Sequence, residues 1–442
     1  MSRITFGRAL LALVALTLAV FTASASAATE RGKPDGYAKS TTVGGVDPQF
    51  LPGARTIPHF TFRYTDPASG RTYPITMVGS DPRNAGGDTT VHTVIVPIKL
   101  HFSAAGQDTS VLNDQGYSGF RATPLDRTFD GTTKVSRILA SPIFSSSKYD
   151  ADLGGDTGQN GDVFMRAQFN KIGSGYHVRL VNDGVTATQS IDVPANKGIA
   201  YQRPVGAWRT AQGTPTDTVA GIANDAWFSS KIQNLISSLH IDGTVVPIFL
   251  TDNVMLYGAN YADCCTIGYH GAAMPVGHGA GSASGGGNQP VNTFMFSAYT
   301  KPGTYSGFMS DYTGTRKGPA PTRGLSDIHA LSHEVSEWLD DPFVNNAVDP
   351  WLTPTAPQYG CTPVLETGDP VVGVWYPLAG NTDPAAGGVW HPEEEVLAQW
   401  FGHGGIEAAG LRSWDGRLTF MGPRTTGLGG AYADFGTYSH GC

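Results

Sequence analysis

The sequence predicts an α+β fold. Stretches 91–102, 244–251 and 291–299 are rich in β-branched and apolar residues, which is typical of strands. Apolar residues recur at helical spacing over 224–239 and over 325–342. Glycine, at 57 of 442 residues, exceeds its usual share of about 7% and indicates many loops. The order of these segments is strand, helix, strand, strand, helix, followed by a loop-rich C-terminal region.

Residues 1–27 have the features of a secretory signal peptide. Arg3 and Arg8 form a basic region, residues 9–21 are apolar, and the Ala-Ser-Ala sequence at 25–27 fits a cleavage site. The apolar run is too short to predict a membrane anchor. We therefore expect a secreted protein with no integral membrane anchor.

The rest of the chain divides into three parts. Residues 28–86 are polar and rich in proline and glycine, and 59–64 and 71–78 flank a turn sequence at 66–70, which predicts a hairpin. This part is either an accessory hairpin or a propeptide. The two parts that follow are the main subdomain and the C-terminal subdomain, 87–342 and 343–442.

Shorter segments complete the assignment. We expect a weak helix at 133–139, a Gly- and Asp-rich loop at 149–162, a strand at 176–181 and a C-terminal helix at 392–401. The glutamates at 393–395 fit an exposed helix start.

Charge and cysteine content narrow the functional classes. The net charge of −8 becomes −10 when the two arginines of the signal peptide are removed. This mildly acidic balance gives no basic patch for binding nucleic acid or an anionic membrane. An exported chain with four cysteines is expected to form two disulfides with no free thiol. The adjacent cysteines are Cys264 and Cys265. We expect each of them to form a disulfide with one of the other two, Cys361 and Cys442.

Residues 325–342 carry the chemistry-bearing pattern. Ser326 is placed to cap the helix and Pro342 to end it. His329, His333 and Glu337 are spaced four apart, so they share the face opposite the apolar stripe. We expect that face to point outward.

The sequence HEVSE at 333–337 resembles the HExxH helix of the zincin metallopeptidases, with Glu337 in place of the second histidine. The resemblance implies that His333 and Glu337 bind a metal ion from adjacent turns, and that Glu334 is the general base for a metal-bound water. It also implies a zincin-like fold, in which a twisted mixed β-sheet has one backing helix and carries the metal-site helix beneath it.

Chance does not explain the motif easily. Glutamate occurs only eight times, and none lies between Glu30 and Glu334. With 12 histidines, about 0.004 accidental matches are expected for random composition.

A catalytic zinc site usually has three protein ligands. In glutamate-using zincins the third ligand is a glutamate downstream of the helix, which implies Glu366, the only glutamate between 338 and 392. His329 and Asp341 are the alternatives. In zincins a histidine or tyrosine lining the cleft can stabilise an oxyanion, and the resemblance implies His270 for that role, with Tyr269 and Tyr299 as alternatives.

The resulting hypothesis is a secreted, monomeric Zn²⁺ peptidase acting on a protein or peptide substrate. Because a glutamate ligand makes the site harder, Ca²⁺ and Mn²⁺ are alternative ions. The alternative function is a catalytically inactive secreted or cell-surface protein whose helix binds a structural cation. A serine hydrolase is not supported, because no G-x-S-x-G sequence is present.

Overall fold

The computed structural model describes residues 52–84, 87–107, 123–202, 208–209, 215–216, 219–258, 264–273, 290–304, 325–352, 361–378, 389–438 and 442. The predicted signal peptide lies outside these residues. The strands are β1 (His59–Thr65), β2 (Thr72–Val78), β3 (Asp88–Phe102), β4 (Thr123–Pro124), β5 (Arg127–Asp130), β6 (Ser147–Lys148), β7 (Thr157–Gly158), β8 (His177–Val185), β9 (Gln189–Val193), β10 (Gly198–Gln202), β11 (Trp208–Arg209), β12 (Pro215–Thr216), β13 (Val219–Asn224), β14 (Val245–Asp252), β15 (Val254–Tyr257), β16 (Cys264–Thr266), β17 (Gly268–Ala273), β18 (Asn292–Thr304), β19 (Leu325–Asp327), β20 (Ala347–Leu352) and β21 (Cys361–Val364).

The helices are fewer and mostly short. They are α1 (Val135–Ala140), α2 (Asn160–Gln168), α3 (Asp225–Ser238), α4 (His329–Asp340), α5 (Ala398–Phe401), α6 (Gly405–Ala408) and α7 (Pro423–Gly427). The predicted α+β class is confirmed. None of the helices in the described ranges has the length and apolarity needed to cross a membrane.

The largest sheet has the strand order β17-β18-β14-β3-β5, with β8 and β9 also paired to β3 and β19 paired to β18. Strand β14 runs parallel to both β3 and β18, whereas β17 runs antiparallel to β18. The sheet is therefore mixed, as expected, and β17 ends the ordered path of strands beside β18.

Side chains of β14 alternate between two hydrophobic clusters, one on each face of the sheet. Ile248 and Leu250 belong to the cluster that includes α4, whereas Phe249 belongs to the cluster that includes α3. Helix α3 is amphipathic because its apolar residues recur at helical spacing, and Asn224 caps it by accepting from the Trp227 amide. One helix thus backs the sheet while α4 packs on the opposite face.

The N-terminal hairpin is confirmed. Strands β1 and β2 pair antiparallel, with His59 opposite Val78 at one end and Thr65 opposite Thr72 at the other. Its inner residues, such as Phe62 and Met77, belong to the same core cluster as α4. Asn346, just beyond α4, exchanges two hydrogen bonds of 2.8 Å with the backbone of Thr76. The hairpin is therefore an integrated part of this core.

Three secondary-structure expectations are wrong. Part of the loop expected at 149–162 belongs to α2, which is only nine residues long and begins with Asn160-Gly161-Asp162, residue types that are typical of turns. The helix expected at 392–401 is reduced to α5, because residues 390–396 are extended and form isolated bridges to 375, 378 and 419. Helix α4 starts at His329 with Ile328 as its N-cap, and Ser326 lies in β19.

The expected cysteine pairing is also wrong. Cys361 bonds to Cys442, with Cα atoms 6.3 Å apart, so neither can bond to the adjacent pair. Cys265 is disulfide-bonded as well, and no cysteine described by the structure is free.

Candidate metal site around helix α4

Helix α4 is buried along its whole length, including the polar face that was expected to point outward. Three segments cover that face: strand β17, the loop around Gly368, and the extended residues around Glu393. The prediction that this face points to solvent is wrong. The spacing of four residues places the polar side chains on one face, but it does not show which later segments of the chain pack against that face.

His333 and Glu337 converge as their spacing predicts. The Nε2 atom of His333 lies 3.1 Å from Oε1 of Glu337. The Gly368 amide donates to the same oxygen at 3.1 Å. A Cβ atom on Gly368 would come within 2.3 Å of His333 Nδ1, so only glycine lets this loop approach the ring so closely.

The second nitrogen of His333 is held by Glu393. His333 Nδ1 lies 3.1 Å from Glu393 Oε2, and His329 Nε2 lies 2.9 Å from the same oxygen. The Glu393 amide donates to Ser332 Oγ at 2.8 Å, and the Gly373 amide donates to Glu393 Oε1. A carboxylate on one ring nitrogen fixes the orientation of the ring and leaves Nε2 for a metal ion.

His270 approaches the helix from strand β17. Its Nδ1 atom lies 3.5 Å from Glu334 Oε2 and 3.6 Å from Glu337 Oε2, which is ion-pair range but too long for a good hydrogen bond. Gly268 of the same strand packs against Glu334, since a Cβ there would lie 2.6 Å from Oε1. Strand β17 therefore fixes one side of both Glu334 and Glu337.

Around α4, two sets of three side chains in the described part of the chain could each hold a metal ion. His333, Glu337 and Asp369 offer ligand atoms that lie within 4.8 Å of one another, and so do His270, Glu337 and Glu366. The predicted trio of His333, Glu337 and Glu366 is therefore divided, because Glu366 falls in the group with His270 and Asp369 takes its place beside His333.

The charges of the residues in the site favour a bound cation. Glu334, Glu337, Glu366 and Asp369 are all buried, and the only buried Lys or Arg in the described ranges, Arg166, pairs with Asp156 at 3.1 Å. Burial raises the pKa of Glu334 to about 7, and it raises the pKa of Glu366 well above its usual range. Buried carboxylates of this kind are stabilised by a bound cation or by protonation.

Charges inside the cluster also act on the histidines. Burial alone would lower the pKa of His270, but contacts with the Glu334 and Glu337 carboxylates raise it to about 10. Burial would raise the pKa of Glu337, yet the neighbouring His333 charge lowers it well below its usual range. A metal ion would take over the place of these protons.

The two alternative third ligands have other partners. His329 points to Glu393, and Asp341 Oδ1 accepts from the amides of Asn345 and Asn346 at 3.0 and 3.2 Å. Asp341 therefore closes the turn after α4. Its pKa is raised to about 7, chiefly by burial.

Sequence reasoning missed Asp369 and Glu393. Asp369 follows Glu366 by three residues in the same loop, a spacing that could have indicated a second acid at the site. The glutamates at 393–395, expected to be exposed, are at most 2% exposed. The scarcity of glutamate in this chain could have identified them as part of the site, as it identified Glu334 and Glu337.

The comparisons with known proteins name no family for this chain. No protein-family model matches it, and neither a curated protein nor a solved structure does.

Proposed function

We propose that this chain is a secreted metal-dependent peptidase whose metal site is built on α4. The observation that carries the proposal is the set of buried ligand atoms converging on Glu337. His333 Nε2 and Glu337 Oε2 have no hydrogen-bond partner in the described part of the protein. Buried polar atoms are nearly always hydrogen-bonded, so exceptions clustered at one point indicate a missing ion.

The primary ion is assigned to His333, Glu337 and Asp369. This group includes the histidine that Glu393 orients, and the loop at Gly368 is shaped to bring Asp369 to it. Imidazole and carboxylate ligands suit Zn²⁺ and Mn²⁺, whereas Ca²⁺ prefers oxygen ligands throughout. Three protein ligands also leave a coordination position open for water or substrate.

Glu334 is the proposed general base. Its pKa of about 7, raised by burial, allows it to accept a proton from the attacking water and return it to the leaving amine near neutral pH. When bound, the cation supplies Lewis-acid polarisation of the scissile carbonyl and lowers the pKa of a bound water. His270 holds Glu334 from one side, and strand β17 limits its movement.

The fold is compatible with the zincin-like interpretation. A mixed sheet carries α3 on one face and α4 on the other, and the antiparallel strand β17 lies against the helix. The disulfide between Cys361 and Cys442 supports an oxidising compartment, as expected for an exported protein.

A structural cation is the second candidate function. The near-complete burial of the ligands favours it, since His333 is only 3% exposed and Glu337 is fully buried. Such a site would bind metal firmly without hydrolysing any peptide.

The test compares Glu334→Gln with the parent chain in metal content and in cleavage of an unstructured protein substrate. We expect the variant to retain metal and lose about 10²–10⁴-fold in rate, because it keeps the side-chain shape but cannot accept the proton. Glu407→Gln, the same change outside the site, serves as the control. Equal cleavage by Glu334→Gln and parent contradicts the mechanism, and a parent with bound metal but no cleavage indicates the structural cation.

A further inference from the structure

The two ligand groups around α4 share Glu337 and no other residue. The two oxygens of this carboxylate face different groups. Oε1 lies 3.1 Å from His333 Nε2, and Oε2 lies 3.6 Å from His270 Nδ1. Glu337 therefore stands between two separate positions rather than at the side of one.

The group on the Oε2 side has its own unpartnered atoms. Neither ring nitrogen of His270 has a hydrogen-bond partner among the described residues, and the same holds for Glu337 Oε2 and Glu366 Oε2. His270 and Glu337 are fully buried, and Glu366 is 5% exposed. Leaving such groups unpaired in the protein interior destabilises the fold, and more strongly when they are charged.

One ion in the first position does not satisfy these atoms. Metal bonds to nitrogen and oxygen of about 2.0–2.2 Å require ligand atoms within about 4.4 Å of one another. His270 and Glu366 meet a comparable limit with Glu337 but do not join the group of His333 and Asp369. A single ion would therefore leave one of the two groups without its cation.

We propose that α4 supports a two-metal centre, in which His270, Glu366 and Oε2 of Glu337 bind a second divalent cation and the Glu337 carboxylate bridges the two ions. This inference rests on the proposed function only for the first ion, at His333, Glu337 and Asp369. Carboxylate-bridged ions lie about 3.5–4 Å apart in two-metal sites. In this proposal His270 is a metal ligand, which replaces the oxyanion-stabilising role predicted for it from the sequence.

The experiment uses Mn²⁺ alone as the probe. The purified full-length chain is stripped with a chelator and reloaded with Mn²⁺, and the ions bound per chain are counted. The electron paramagnetic resonance spectrum of the bound Mn²⁺ is then recorded. We expect two ions per chain in the parent, with the spectrum of a spin-coupled pair, because the ions share one carboxylate.

Single substitutions test the two metal positions separately. Glu366→Gln should bind one Mn²⁺ and show the hyperfine pattern of an isolated ion, and Asp369→Asn should also bind one. Glu407→Gln, the matched change outside the site, should bind two. Circular dichroism of each variant establishes that it is folded.

The parent alone decides the question even where a variant does not fold. One ion per chain, or two ions without spin coupling, overturns the two-metal centre and leaves the proposed metal site intact. No bound ion overturns both proposals.

Discussion

Two acid–histidine clusters in this protein look alike by distance and differ in what surrounds them. The helix cluster comprises His270, His333, Glu337, Glu366 and Asp369. The hairpin cluster comprises Asp66, Asp349 and His403, whose ligand atoms also lie within 4.8 Å of one another. Distance alone would assign a metal ion to both.

In the hairpin cluster the carboxylates already have protein partners. Asp66 accepts from the Ala68 and Ser69 amides at 2.8 and 2.9 Å and lies 2.5 Å from His403 Nδ1. Asp349 accepts from the Tyr73 hydroxyl at 2.7 Å. This cluster ties the hairpin to the C-terminal region, and a metal ion would have to displace good hydrogen bonds.

In the helix cluster the ligand atoms of His270, His333, Glu337 and Glu366 include several without such partners. Proximity of acids and histidines is therefore a weak indicator of a metal site. Unsatisfied, buried ligand atoms are the stronger one.

The disulfide closes a chain segment that contributes residues to both clusters, so its removal tests what they share. The bond joins Cys361 to Cys442, which are 81 residues apart, and the segment between them contains Glu366, Asp369 and His403. Replacing both cysteines with serine should lower the free energy of unfolding by about 4–5 kcal/mol, from the chain entropy restored to the unfolded state. Denaturant unfolding measures the loss, and an unchanged midpoint would contradict this role for the bond.

Glu393→Gln tests whether the helix cluster needs an oriented histidine. The amide cannot supply the negative charge that His329 and His333 share, so the position of His333 should loosen. We expect metal affinity to fall about 10–100-fold, as for other carboxylates behind a metal-binding histidine. Competition with a chelator measures the affinity. Asp66→Asn, the corresponding change in the hairpin cluster, should leave the affinity unchanged, and equal losses in the two variants would remove the distinction between the clusters.

The hairpin cluster should instead affect stability and its pH dependence. Although burial opposes it, hydrogen bonds from His403 and the Ser69 and Ala68 amides lower the pKa of Asp66. Because the folded pKa is lower than the unfolded value of about 3.9, the stabilisation is present above that value and is lost as the pH falls through the folded pKa.

Asp66→Asn should therefore destabilise the protein by about 1 kcal/mol near pH 6, and the difference from the parent should shrink as the pH approaches the folded pKa. Thermal unfolding at several pH values measures it. A difference that is constant with pH would show that the charge on Asp66 contributes nothing.

Local patterns predicted the parts of the fold that depend on near neighbours in sequence. The hairpin strands, β3, α3, β14 and β18 follow from their spacing and turn residues. The convergence of His333 and Glu337 follows from the geometry of a helix, in which residues four apart lie on the same face.

The rest of the site depends on tertiary packing. His270, Glu366, Asp369 and Glu393 reach α4 from a strand and from two loops, and no local pattern states which loop acid lies beside which histidine. Helix α2 was missed for a related reason, since Gly161 packs against Val335 and Leu339 of α4 and leaves a sequence that looks like a loop.

Whether the helix cluster binds a metal ion and the hairpin cluster does not is decided by the metal content and thermal stability of three chains. These are the parent, Glu337→Gln and Asp66→Asn, each purified and measured before and after chelation. We predict metal in the parent and in Asp66→Asn but not in Glu337→Gln. Restoring Zn²⁺ at 100 times its dissociation constant should stabilise the stripped parent by about 2.7 kcal/mol. A parent that contains no metal and whose unfolding temperature does not change with added Zn²⁺, Mn²⁺ or Ca²⁺ would contradict the claim.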